Sequence, residues 1–311
     1  MTNAERLAIP NPTIPWEFER HAAEPPQLGL GRPGKVGVLD LELAPSHGQS
    51  RIVRSYTRVP LQAVKALYCD PARPDMAFVY VISVAGGVLQ GDRLSIDVVA
   101  RSGSRVHITT QAMTRVYRMT HGYATQTVHL RAETGGYLEY LPDPTIPFRG
   151  ARYYQEVTLE RAPGATILAG EILLPGRVAS GESFAYDTVC FTTRGVNPCF
   201  DRIPRFQDTL LIEPARRDPH TIGLFGPYSV VGTLFVLSDA VPVTTMVDAL
   251  ASTADQGRDV ALAATVLPNE SGAMARVLST TSAGAQKALT AAWTAARHLI
   301  LGEGMPELRK Y

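Results

Sequence analysis

The chain has 311 residues, 45% hydrophobic and 19% charged, with a formal net charge of +1. That length supports a large core in one or two domains, and the neutral balance excludes a charge-driven binder of nucleic acid or membrane surfaces. No apolar run reaches the roughly 18 residues of a membrane-spanning helix.

Residues 1–34 carry Pro10, Pro12, Pro15, Pro25, Pro26 and Pro33 with interspersed glycines. They read as a mobile Pro/Gly-rich lead-in. The opening MTNAERLAIPNPTIP lacks the apolar stretch of a secretory signal. Cys69, Cys190 and Cys199 are odd in number and far apart, which fits a reducing cytoplasm and no disulfide framework. No Cys-x-x-Cys or clustered histidine motif signals a metal cage.

From residue 35 the pattern becomes β and reads as one domain to residue 311. Runs at 36–43, 51–59, 76–84, 93–100, 104–111, 124–131, 136–141, 152–160 and 165–174 are separated by Gly, Pro, Asp or Ser. More follow at 184–194, 208–214, 229–237, 259–266 and 274–281. MAFVYVISV at 76–84 is nearly all apolar, as in a strand buried on both faces. Leu94, Ile96 and Val98 alternate with polar residues, as in a half-buried one. The expected fold is mainly β, a layered and non-repetitive architecture of about 15 strands, since no fixed-period repeat is visible. Two helices are expected. One spans about 245–256, with Thr245 and Asp248 as a capping box. The other spans about 285–301, with Leu289, Ala292, Trp293, Ala296 and Ile300 in one stripe and Gly302 as its stop.

Four loops interrupt this pattern. Gly86-Gly87-Val88-Leu89-Gln90-Gly91-Asp92 joins two strands, and no Lys-Ser/Thr or helix follows, so it is not a phosphate loop. Thr109-Thr110-Gln111-Ala112-Met113-Thr114-Arg115 leaves a strand densely polar. Leu141 to Tyr153 holds three prolines, which exclude a central strand, yet Ile146 and Phe148 favour burial. Glu171 to Glu182 places Arg177 between two acids, the usual pattern of an ion pair. Glu139 and Asp143 could suggest acid–base chemistry, but no nucleophile, histidine or metal motif accompanies them. On residues alone an enzyme using Glu139 and Asp143 and a β-rich ligand-binding module both stay open.

In their order, GGVLQGDRL at 86–94, TTQAMTRVY at 109–117, EYLPDPTIPFRGARY at 139–153, EILLPGRVASGE at 171–182 and VVGTL at 230–234 resemble the urease accessory protein family UreD, also called UreH. The closing LRKY is similar to the ending in part of that family. Two positions depart from its pattern: Gln90 stands where a glycine is common, and Arg115 where lysine is usual.

The resemblance implies a non-enzymatic scaffold of mostly β fold with two helices. It implies binding to apo-urease, to UreF and, through UreF, to the GTPase UreG. It also implies promotion of nickel insertion, with nickel(II) as transient cargo in a polar internal channel and no tightly bound cofactor. Oxygen ligands hold such cargo loosely enough to release it. Asp92, Glu139, Asp143, Glu171 and Glu182 are the candidate acids of that path, and Thr109, Thr110 and Gln111 its candidate neutral lining. The bland alternative pairs these acids with Arg115, Arg149 or Arg177. Ile146, Phe148, Arg149, Arg177 and Tyr311 are candidate partner contacts.

Overall fold

The period-two runs become strands because their β-branched and aromatic residues fit a pleated, half-buried surface. The computed structural model describes residues 12–22, 34–196, 204–254 and 257–308. Its strands, in chain order, begin with β1 (Val36–Ser46), β2 (Gln49–Arg58), β3 (Leu61–Ala63), β4 (Ala77–Ser83), β5 (Arg93–Ala100) and β6 (Arg105–Thr110). Next come β7 (Thr114–Val116), β8 (Ala124–Ala132), β9 (Tyr137–Tyr140), β10 (Thr145–Pro147), β11 (Arg152–Arg161) and β12 (Thr166–Leu173). The last are β13 (Thr188–Val196), β14 (Pro204–Ile212), β15 (Val230–Ser238), β16 (Val260–Val266) and β17 (Ala273–Ser279). Among the described residues the α-helices are α1 (Val243–Ala251) and α2 (Ser282–Leu301).

The strands form two sheets, ordered β14-β13-β11-β8-β5-β1-β2 and β16-β17-β15-β12-β9-β6-β4-β3. Along the middle of the chain, apart from the short strands β7 and β10, each strand of one sheet is followed by a strand of the other. Successive visits to a sheet stack in parallel. Ile96 of β5 lies opposite Val128 of β8, Val128 opposite Val157 of β11, and Val157 opposite Thr193 of β13. In the second sheet Val79 of β4 pairs with Ile108 of β6, which pairs with Tyr140 of β9.

This is a stack of coils, a β-solenoid of about four turns. The mainly β expectation holds, and the layered, non-repetitive architecture is corrected. The repeat is one of strand stacking rather than of sequence. Short excursions such as β7 and β10 make the coils unequal in length, so no fixed period is visible. The antiparallel strands β2 and β14–β17 flank the parallel stack.

Alternation sorts side chains into two cores. Leu39, Leu41, Val79, Val81, Ile96 and Val98 point between the sheets. Phe78, Leu168, Leu234 and Ala275 point outward, under α1 and α2, where they meet Leu250, Leu289 and Trp293. β4 is buried on its inward face and, on the outward face, at Phe78, while Tyr80 and Ile82 are half-buried, so its continuous apolar run is only partly covered on the outside. Burying each large apolar side chain contributes about 1.5–3 kcal/mol.

Helix α2 begins where the Thr281 hydroxyl oxygen accepts the Gly284 N–H at 3.1 Å, and it ends at Gly302 with φ 75°. Helix α1 differs from expectation. It starts at Val243 after Pro242, with no side-chain cap, so Thr245 and Asp248 lie inside the helix rather than at its cap. It ends at Ala251, short of the expected residue 256. In the lead-in, Trp16–His21 forms a 3-10 turn that buries Phe18 against Tyr154 and Cys190 on the outside of the first sheet.

Candidate functional site

The loop between β4 and β5 is held by its own backbone. Val88 N–H donates to Arg115 O at 2.7 Å, and Tyr117 N–H to Val88 O at 2.9 Å. A Cβ on Gly87 would sit 2.5 Å from Arg115 O and 2.6 Å from the Tyr117 ring. Only a glycine allows that approach. Asp92 closes the turn: Oδ1 accepts the Lys35 N–H at 2.9 Å and Oδ2 the Leu89 N–H at 2.8 Å. Burial pushes its pKa up, against the pull of those two N–H donors. Asp92 is thus engaged by its own turn and by the start of β1.

Behind this loop a cavity of about 210 Å³ runs between the sheets. Gly86, Met113 and Arg115, all exposed, form its rim, and Gln111 joins them. Thr110 and Asp143 stand further in, where the Asp143 N–H donates to the Thr110 hydroxyl at 2.8 Å. Gln126, Gln155 and Tyr140 line the buried part, with Gln126 Nε2 3.4 Å from Gln155 Oε1. Glu171 and Phe191, both buried, also line it. Burial raises the Glu171 pKa to about 7, while Arg276 and the Thr233 hydroxyl pull it down and Asp208 pushes it up.

Glu139 lies on the other face of the second sheet. Its Oε1 accepts from Trp293 Nε1 at 3.0 Å and from Arg297 Nη1 at 3.1 Å, and its Oε2 lies 2.7 Å from His107 Nδ1. Arg297 Nη2 also reaches Asp70 Oδ2 at 2.8 Å. Burial favours the neutral acid, but His107 and Arg297 outweigh it and lower the Glu139 pKa. Glu139 and Asp143 do not converge, since only Asp143 lines the cavity. Among the described residues, no three His, Cys, Asp or Glu side chains are grouped to hold a metal ion.

The sequence matches the UreD urease accessory protein family over residues 35–310. This chain belongs to that family. It is 41% identical to urease accessory protein UreD 2 of Streptomyces griseus over 294 residues, which is 93% of this chain and 98% of that one. It is 37% identical to urease accessory protein UreD of Cenarchaeum symbiosum over 284 residues, 91% of this chain and 99% of the other. With the Haloarcula marismortui UreD it shares 36% identity over 295 residues, 94% of this chain and 97% of the other.

The motifs that suggested UreD therefore divide by location. Thr110, Gln111, Asp143 and Glu171 come together at the cavity. Thr109 does not line it; its hydroxyl donates to Leu141 O at 2.6 Å. Glu182 is taken up by Arg177, with Nη2–Oε1 at 2.6 Å and Nε–Oε2 at 2.9 Å. That pairing holds its pKa down at about 2. Arg177 also lies 4.1 Å over the half-buried Phe148 ring, which meets Tyr117 edge-on at 5.0 Å.

Ile146 packs half-buried under the helix layer, and Arg149 is exposed. The Pro loop that holds them contains β10, a three-residue strand beside β7 and β12. Tyr311 lies outside the described residues. Gln90, the departure from the family's glycine, ties this loop to the chain ahead of β8, where its Oε1 accepts from Thr120 N at 3.0 Å and His121 N at 3.1 Å.

Sequence reading missed Gln126, Gln155 and Thr233. A signal for the glutamines exists. Each interrupts an inward apolar face, Ala124-Gln126-Val128-Leu130 and Tyr153-Gln155-Val157-Leu159. A second, wider groove of about 730 Å³ lies outside the solenoid, with Val64, Leu67, Tyr80 and Ile82 in its walls. Of the candidate residues, Gln111 reaches it.

Proposed function

We propose that this UreD-family chain is a non-catalytic component of urease maturation that works in the cytoplasm. It binds apo-urease and, with UreF and the GTPase UreG carried by UreF, promotes nickel insertion. The space between its sheets is part of the nickel route. One observation carries the reading: a cavity between the sheets is lined by oxygen-bearing groups that include one buried carboxylate, Glu171.

The donor set suits a cargo better than a resident ion. Amide, hydroxyl and carboxylate oxygens bind divalent nickel weakly, whereas a Cys/His cage would retain it. Asp143 offers charge on the way in. Glu171, with its pKa near 7, binds a cation in exchange for a proton and gives it up when the proton returns. The exposed apolar residues Val64, Leu67 and Tyr68 suit a chain that works covered by partners. The Phe148–Arg149–Arg177 face is the candidate UreF contact.

The test uses the purified assembly of urease with its accessory proteins. Glu171→Ala is expected to lower nickel loading at least tenfold while all subunits still co-purify. Normal loading by that variant sinks the conduit. Loss of co-purification on Phe148→Ala with Arg149→Glu supports the UreF contact, and retention removes it.

A further inference from the structure

Glu171 lines the cavity, and a row of inward polar groups that do not line it continues from there. In β-register, Glu171 of β12 lies opposite Thr233 of β15, and Thr233 opposite Arg276 of β17. The three therefore share one face of the second sheet, and Thr233 is buried. Arg276 then crosses to the first sheet, where its Nη2 donates to Asp208 Oδ2 of β14 at 2.7 Å. The two side chains are 26% and 25% exposed. The row thus leads from a buried carboxylate to solvent at the edge of the solenoid away from Gly86, and the ion pair stands across it.

We propose that the Arg276–Asp208 ion pair is a displaceable plug at the exit of the nickel route, with Asp208 the last carboxylate a divalent cation meets. This rests on the conduit reading above.

Charge and placement support it. Paired with Asp208, Arg276 is neutralised; on its own, a guanidinium beside Glu171 repels a divalent cation. When Arg276 swings out, it removes the repulsion and frees the Asp208 carboxylate as a ligand in one movement. A part-exposed ion pair is weakly held, unlike the buried Arg297 pair. Breaking it need not part the sheets. Arg205 and Asn269 join the two edges independently, with Arg205 Nη2 donating to Asn269 O at 2.9 Å and Asn269 Nδ2 to Arg205 O at 2.6 Å. The Phe206 and Phe235 rings stack between the sheets at 5.9 Å.

Two measurements test the plug. The first uses Thr233→Cys. The reagent is a cationic methanethiosulfonate, and mass spectrometry reads modification at that residue in the full chain. Labelling is expected to be slow with the ion pair intact and at least tenfold faster with Asp208→Ala and Arg276→Ala. Fast labelling with the pair intact, or no acceleration without it, overturns the plug.

The second measures nickel delivery to apo-urease in the assembled complex, with co-purification and thermal melting confirming intact protein. Asp208→Leu with Arg276→Met seals the exit with apolar groups of similar size and is expected to reduce delivery at least tenfold. Normal delivery by the sealed variant, with Glu171→Ala still impaired, overturns the plug alone. Normal delivery by Glu171→Ala overturns the conduit and the plug with it.

Discussion

Arg297 Nη1 lies 3.1 Å from Glu139 Oε1 at the junction of α2 and the second sheet, and both side chains are fully inaccessible to solvent. The same guanidinium holds Asp70 at 2.8 Å. One arginine on the last helix thus neutralises acids from a loop before β4 and from β9. Glu139 fastens the helix layer to the solenoid, on the face away from the cavity.

Removing one partner of a buried pair leaves the other charge uncompensated, at a cost of about 3–5 kcal/mol. Arg297→Met is expected to destabilise the protein by about that amount in urea denaturation, since two carboxylates lose their partner. Glu139→Gln is expected to do less, because Arg297 keeps Asp70. The Glu139 pKa is lowered on folding. Its contribution is therefore present above the unfolded value of about 4.5 and is lost as pH falls through the lower folded value. Glu139→Gln should flatten the acid limb of the stability curve, and an unchanged limb would count against this pairing.

Glu171 has the opposite sign. Its folded pKa of about 7 lies above the ordinary glutamate value of 4.5. The folded state then holds a proton that the unfolded state has released, so stability falls as pH rises from about 4.5 to 7. Glu171→Gln removes a buried charge that is fully present only above pH 7. It is expected to stabilise the protein at pH 8 by up to about 3 kcal/mol, and by little at pH 4. Chemical denaturation at the two pH values checks this; equal effects at both would place Glu171 in a wetter setting. A residue whose removal improves stability while impairing nickel delivery is one kept for function.

These two acids also mark how far the sequence could be read. Each is a lone carboxylate in an apolar strand, and both stood as candidates for one path. Alternation places Glu139 and Leu138 on opposite faces, but in a strand buried on both sides it gives no sign of which face is the cavity. That needs the stacking partner, which local pattern does not specify. The same gap hid the solenoid. The strand runs were legible residue by residue, whereas the parallel stack of Ile96, Val128 and Val157 joins residues at unequal spacings. The glycine loop was legible as a close approach, whereas Gln126 and Gln155 were missed although each is a polar break in an apolar face. Arg276 and Asp208 were not legible, because they meet across the two sheets.

At the cavity rim, Gly87 and Gly86 should behave differently. A Cβ at Gly87 meets the Arg115 carbonyl at 2.5 Å, a backbone atom that cannot turn aside. At Gly86 it meets the Tyr117 hydroxyl at 3.2 Å, the end of a side chain that can. Gly87→Ala is expected to destabilise by about 1–3 kcal/mol, and Gly86→Ala by well under 1 kcal/mol beyond the ordinary effect of removing a glycine. Thermal melts of the two single variants make the comparison, and equal melting temperatures would contradict it.

Gln126 and Gln155 separate a polar lining from a structural one. Their mutual contact at 3.4 Å is long, and both sit among apolar inward neighbours. Replacing both with leucine removes two weakly satisfied buried amides, a gain offset by the Tyr153 hydroxyl, which loses its 3.4 Å contact with Gln155 Oε1. Gln126→Leu with Gln155→Leu is therefore expected to change the melting temperature little and to leave the complex intact. It also removes two amide oxygens from the buried lining, so nickel delivery to apo-urease should fall severalfold. Unchanged delivery would show that the cation does not pass these side chains, and a markedly lower melting temperature would show that the amides support the pairing of β8 with β11.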